Sequence, residues 1–140
     1  MKILFDTNVI LDVLLDREPF SDLATKLLSR VEKKELEGFL GATTVTTIFY
    51  LAARVAGKNK ADKEIIKLLS IFQIAPVNKS VLDEAIKSGF SDFEDAVLHE
   101  SAKQLGVQGI VTRNPKDFKK ATLSIYSPEE LHKMLLSIIH

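Results

Sequence analysis

Cysteine is absent from the 140 residues, which excludes a disulfide framework and any thiolate zinc site, and fits a reducing compartment. Tryptophan is missing too, and phenylalanine is the main aromatic, so little is available for an exposed base-stacking platform. Nineteen Lys and Arg balance nineteen Asp and Glu. With no global field to draw nucleic acid from a distance, any such binding must use a local patch. No apolar run approaches the roughly 18 residues of a membrane span. The opening MKILFDTNVILDVLL is apolar, but Asp6 and Asp12 interrupt it and no small-residue cleavage site follows, so it does not read as a signal peptide. The expectation is a soluble, cytoplasmic protein with no membrane association.

What is present is apolar content of 46%, enough at this length for one full core, and the expectation is a single domain over residues 1–140. KILFD, ending at Asp6, is a short β-branched and aromatic run of the kind that forms a buried parallel strand. From Pro19, the residues Leu23, Leu27, Leu28 and Val31 recur at helical spacing opposite Lys26, Arg30 and Lys34, an amphipathic helix that Gly38 closes. FLGATT reads as a second strand, VTTIFYLAARVAG as a helix stopping at Gly57, and the polar KNKADK as a loop. ADKEIIKLLSIF is a helix, IAPV a third strand and Lys79 to Ser88 another helix. Ser91 opens the next helix through the Ser-x-x-Glu capping pattern of SDFE, and that helix runs to Gly106. GIVTRN is a fourth strand, PKDFKK a short helix, LSIYS a fifth strand, and PEELHKMLLSIIH a terminal helix with Pro128 in its first turn. There is no internal repeat.

Strands alternating with helices predict an α/β fold in three layers, α/β/α, around a five-stranded parallel sheet. Ligands in such folds collect beyond the carboxyl ends of the strands, where strand order reverses. That rule selects Asp6-Thr7-Asn8, Thr43 to Thr47 and Thr112-Arg113-Asn114, with the helix start at Asp92 and Asp95 facing the same crevice. Asp92 and Asp95 are three residues apart, which on a helix puts both carboxylates on one face. With Asp6 they can hold a hard divalent ion that activates water and neutralises charge on a phosphate. Each acid also has a plain structural reading: Asp92 complements a helix N-terminus, and Asp6 caps a helix over residues 8–15. Glu94 and Glu100 fall off the Asp92/Asp95 face or further down the helix. Lys116, Lys119, Lys120 and Arg113 crowd the lip of the crevice, where they can track an RNA backbone or simply form a solvated helix face. His99, one turn beyond Asp95, can orient a ligand or serve packing, while His132 and His140 carry no signal.

ILFDTNVILDVLL, SDFEDAVLHESAKQLG and IVTRNPKDF, in that order and in a chain of this length, resemble the PIN-domain family, which includes the VapC-type ribonuclease toxins. The resemblance spans essentially the whole chain. It implies a five-stranded parallel sheet and hydrolysis of RNA phosphodiester bonds, with Mg2+ or Mn2+ held by three or four acids. On that pattern Asp6 matches the first acid, Asp95 the third, and Asn114 the position often taken by the fourth, with Asp92 and Asp117 as additions to the metal set. Asn8 and Thr112 match supporting polar residues. A toxin of this kind pairs with a small antitoxin protein, and the family makes a homodimer the expected assembly.

The chain departs from the family at one position that matters. The second acid is usually a Glu in a run like T-x-T-E-I-Y-Y, and here TVTTIFY puts Thr47 there. A hydroxyl brings hydrogen bonding but no charge to a metal, and Asn114 likewise offers a neutral oxygen. A PIN-like module with weak or lost catalysis, serving in RNA binding or protein interaction, is therefore the competing reading. A phosphatase using Asp6 as phosphoryl acceptor lacks the second Asp two residues on, because position 8 is Asn.

Overall fold

In the computed structural model, which describes residues 1–138, five strands form one sheet with every neighbouring pair parallel, in the order β3-β2-β1-β4-β5. The strands are β1 (Lys2–Phe5), β2 (Glu37–Gly41), β3 (Gln73–Ala75), β4 (Gly109–Val111) and β5 (Ser124–Tyr126). β1 is central. The chain winds outward from it through β2 and β3, then returns to lay β4 and β5 on its other side, so strand order reverses between β1 and β4. This is the predicted five-stranded α/β/α architecture.

Alternation along the strands divides the core. Ile3 and Phe5 point to one face with Leu40 and Val111, and meet α1 (Thr7–Leu14), α2 (Ser21–Glu32), α3 (Ala42–Ala56), α4 (Lys58–Ile71) and α7 (Pro128–Ile138). Leu4 points the other way with Phe39, Ala75 and Ile110, against Leu98 and Ala102 of α6 (Phe93–Gln104). Val81 and Ala85 of α5 (Lys79–Lys87) pack in turn on Ala96 and Val97 of α6. Strands buried on both faces read as continuous apolar runs, which is why KILF was legible. At Gly41 a Cβ would lie 2.5 Å from Leu98 Cδ2, so glycine lets α6 seat directly on the end of β2.

Several boundaries differ from the sequence reading. ATT does not extend β2: Gly41 already has extended backbone as the residue before α3, and Ala42, Thr43 and Thr44 form its first turn. Gly38 sits inside β2 rather than closing a helix; α2 ends at Glu32, and Lys34 takes the left-handed turn at φ 62°. KNKADK is not a loop. α4 starts at Lys58, two residues after α3 ends, with only Gly57 (φ 91°) between them. Its polarity reflects a solvent-facing first turn, where Lys58 Nζ pairs with Asp62 at 2.9 Å and only Ala61 turns inward. The end of α6 follows expectation: Gly106 (φ 69°) lets the Val107 and Gly106 amides bond back to Ala102 and Lys103, a Schellman closure. The final two residues assigned to the terminal helix, Ile139 and His140, lie outside the described residues.

Among the described residues, no helix is long and apolar enough to cross a membrane.

Candidate functional site

The reversal between β1 and β4 makes the two chain segments leaving those strands neighbours. Asp6 follows β1, its amide bonding Val111 O at 3.0 Å, and the residue is 8% exposed. Oδ1 accepts from the Thr7 amide at 2.8 Å, and Oδ2 accepts from the Thr112 hydroxyl at 2.7 Å. Asp6 is thus the N-cap of α1, as its plain reading held, and also a wall of the crevice. Thr112 Oγ1 in turn accepts from the Asn114 amide at 3.1 Å, so one hydroxyl ties the segment after β4 to the acid after β1. Thr7 Oγ1 and Thr44 Oγ1 meet at 2.9 Å, joining the start of α3 to the same end of the sheet.

Around this point lies an open cleft of about 290 Å³, lined by Asp6, Asn8, Asp92, Glu94, Asp95, Asn114 and Asp117 among others. Five carboxylates therefore share it, and none of its described lining side chains is cationic. The consequence is visible in protonation. Burial, then the negative charges of Asp6, Asp92, Asp117 and Glu94, push the Asp95 carboxyl up to about 7. Asp6 is also raised, chiefly by burial, although the Thr112 and Thr7 hydrogen bonds oppose it. Like charges in a partly dry site disfavour each other until something positive is placed between them.

An oxygen-only, anionic donor set suits a hard divalent ion. The Asn8 amide oxygen adds to the fit, being buried without a hydrogen-bond partner in this cleft. Among the described residues, no three acidic or histidine side chains converge tightly enough to ligate an ion by themselves. Magnesium binds in just that way, through one or two carboxylates with several waters retained.

Asp92 does not occupy the helical position read from its spacing. Its backbone is extended (φ −112°, ψ 120°), and it is the N-cap of α6, with Oδ1 accepting from the Asp95 amide at 3.0 Å. Ser91 is not the cap. The carboxylate outcompetes the hydroxyl one residue earlier because a charged acceptor gains more at a helix N-terminus. Asp92 still lines the cleft. Glu94, set aside as off-face, lines it too, because with residue 92 outside the helix the three-residue spacing no longer defines the face.

The basic residues divide. Lys116, Lys119 and Lys120 line a groove of about 350 Å³ with Gly89, Phe90 and Ser91, and this groove shares Asp117 with the acid cleft. Arg113 is turned elsewhere. Its Nε lies 2.7 Å from Asp12 Oδ2 and its guanidinium stacks 4.0 Å from the Phe20 ring. Asp12 is fully buried on α1, with Arg17 3.9 Å from its other oxygen. Thr47 lies in a second cleft beside the first, not among the residues lining the carboxylate cleft. His99 also stands apart. It is 2% exposed, with Nδ1 2.8 Å from Glu100 and Nε2 accepting from the Thr122 amide at 3.0 Å. An accepting Nε2 fixes the neutral tautomer with its proton on Nδ1, so His99 stitches α6 to the segment before β5.

Comparison with known proteins agrees with this fold. The family model described as PIN domain matches residues 2–116, and the chain belongs to the PIN-domain family. Ribonuclease VapC1 of Aquifex aeolicus (strain VF5) is 24% identical over 134 residues, covering 92% of each chain. Among solved structures, FitAcB from Neisseria gonorrhoeae superposes with a TM-score of 0.68 at 22% identity, covering 91% of this chain and 98% of that one. A toxin-antitoxin complex from Klebsiella pneumoniae gives a TM-score of 0.69 at 19% identity, covering 90% and 97%.

Proposed function

We propose that residues 1–140 are one PIN-like domain acting as an endoribonuclease dependent on Mg2+ or Mn2+, the toxin of a toxin-antitoxin pair in the cytoplasm. The observation that carries this reading is the cleft shared by five carboxylates, in which burial and then the neighbouring negative charges push the Asp95 carboxyl up to about 7, next to a lysine-lined groove suited to phosphates. Family membership and the resemblance to a VapC ribonuclease support the same activity. In this reading Asp6, Asp95, Asp92 and Asp117 surround the ion, one or two of them binding it directly and the others through its retained waters, with Asn114 and Asn8 supplying neutral oxygens. When bound, the ion lowers the pKa of a water and neutralises charge on the phosphate. Thr112 opposes the burial-driven rise of the Asp6 carboxyl and aims it by donating to Oδ2, and Lys116, Lys119 and Lys120 track the RNA strand. A small antitoxin would cover the crevice, with a cationic side chain reaching the carboxylates. A homodimer completes the reading, for which exposed Tyr50 and Val55 on α3 and Ile66 and Leu69 on α4 offer apolar surface.

The test is an RNA cleavage assay with Mg2+ or Mn2+ on wild type, Asp6→Asn and Asp95→Asn. Metal-dependent cutting that either substitution abolishes is expected. No cutting of any RNA pool, joined to no metal binding by calorimetry, would favour the alternative of a PIN-like RNA-binding or protein-interaction module. Thr47 is the specific observation behind that alternative, since it leaves the family's second acid position uncharged. Thr47→Glu producing strong metal-dependent cutting from a feeble parent would locate the deficit there.

A further inference from the structure

The wall formed by Glu94 has a second side. It also lines a cleft of about 290 Å³ between α3, α5 and α6, with Thr43, Thr46, Thr47, Leu82, Phe93 and Val97. The clefts therefore run in series. The lysine groove meets the acid cleft at Asp117, and the acid cleft meets this third one at Glu94.

The third cleft has a distinct chemistry. Phe93 and Leu82 present large apolar side chains that are 48% and 41% exposed. Three threonines of α3 face them, and the Thr43 hydroxyl is buried without a hydrogen-bond partner. None of the described lining residues is cationic, so a phosphate would find only the repulsion of Glu94. A purely aliphatic occupant would leave the Thr43 hydroxyl unpaired, which is costly once water is excluded. A nucleobase meets both demands, with a π face for Phe93 and a polar edge for the hydroxyls. Phe93 and Asp95 are two residues apart in the first turn of α6. A base lying on Phe93 therefore brings its own backbone phosphate within a nucleotide step of the carboxylates.

We propose that this cleft is a nucleobase subsite that takes one unpaired base of the RNA beside the phosphate to be cut. The proposal rests on the ribonuclease reading and deepens it. It restricts the substrate to RNA in which that base is free of a pairing partner, because a stacked and paired base cannot offer its face. It also gives Thr47 a positive role: threonine keeps the wall neutral where Glu would add a second anion next to Glu94.

The experiment is fluorescence anisotropy with end-labelled single-stranded RNA and the full chain, in EDTA so that no strand is cut. Phe93→Ala is expected to weaken binding about tenfold, and Phe93→Tyr to restore it. An abasic site walked along the strand should reproduce that loss at one position in wild type and add nothing at that position in Phe93→Ala. Melting curves confirm that each variant is folded. Phe93→Ala binding the strand as tightly as wild type overturns the subsite alone. The same result with altered self-association in light scattering assigns the cleft to protein contacts, and equally overturns it. Wild type that neither binds nor cuts RNA removes the ribonuclease reading and this inference with it.

Discussion

Replacing Asp95 by Asn should make the metal-free protein more stable at pH 8 while destroying its activity. The carboxyl is raised from 3.8 in a free chain to about 7 in the fold, so the folded state binds the proton more tightly than the unfolded state does. The stability this gives is fully present below pH 3.8 and is lost as pH rises through 7. A difference of about three pH units, at about 1.4 kcal/mol each, sets an upper bound near 4 kcal/mol. Asp95 is only half-buried, and solvent screening reduces this to about 1–2 kcal/mol. Asn carries no charge at any pH and escapes the loss. Thermal unfolding in EDTA should thus show Asp95→Asn and wild type together near pH 4, then diverging until the variant melts about 3–8 °C higher at pH 8. Saturating Mn2+ should reverse the order if the ion binds the carboxylates, because it stabilises wild type by mass action. A variant that melts lower than wild type at pH 8 without metal, or a difference that ignores pH, would refute the claim that burial and neighbouring charge together disfavour the ionised Asp95 carboxylate.

Thr112→Val removes the hydroxyl donated to Asp6 Oδ2 and should lower Mn2+ affinity by about 10- to 100-fold in calorimetry, the usual effect of removing a ligand's supporting hydrogen bond. Arg113→Gln and Asp12→Asn each leave one member of the Asp12 pair unmatched; each should cost about 3 kcal/mol in urea unfolding, with the salt dependence of RNA binding unchanged. Alanine at Lys116, Lys119 or Lys120 should do the opposite, sparing stability and lowering the salt slope by about 0.7 for each phosphate left without its lysine. Gly41→Ala drives a methyl into Leu98 Cδ2 and should destabilise by about 1–3 kcal/mol in the same denaturant series.

The architecture was legible because its signals are periodic. KILF, FLG and GIV, within the runs read as strands, are apolar and lie in β1, β2 and β4, and the terminating glycines at 57 and 106 mark true helix ends. Capping was harder, since it is a competition between adjacent side chains. SDFE satisfies the Ser-x-x-Glu pattern, yet Asp92 takes the amide of residue 95. The reciprocal box forms instead at Ser127 and Glu130, whose backbone amides each bond the other's side chain, at 2.9 and 3.1 Å. KNKADK was misread because a solvent-facing helix turn and a loop share the same polar composition, and the buried Ala61 is too small a signal. The acids of the cleft could be named from the DTN and SDFED runs, but their company could not. Glu94, the orphaned Asn8 oxygen and the turning of Arg113 toward Asp12 all depend on tertiary placement.

The strand order also governs when the catalytic cleft can exist during synthesis. The hydroxyl that secures Asp6 comes from Thr112, 106 residues further along the chain, and the central strand lacks its second neighbour until residues 109–111 arrive. A growing polypeptide that has not reached that point already carries Asp6, Asp92, Glu94 and Asp95, but neither the strand nor the hydroxyl that fixes the first of them in place. In the ribonuclease reading the cleft is therefore completed only once the segment after β4 has been made.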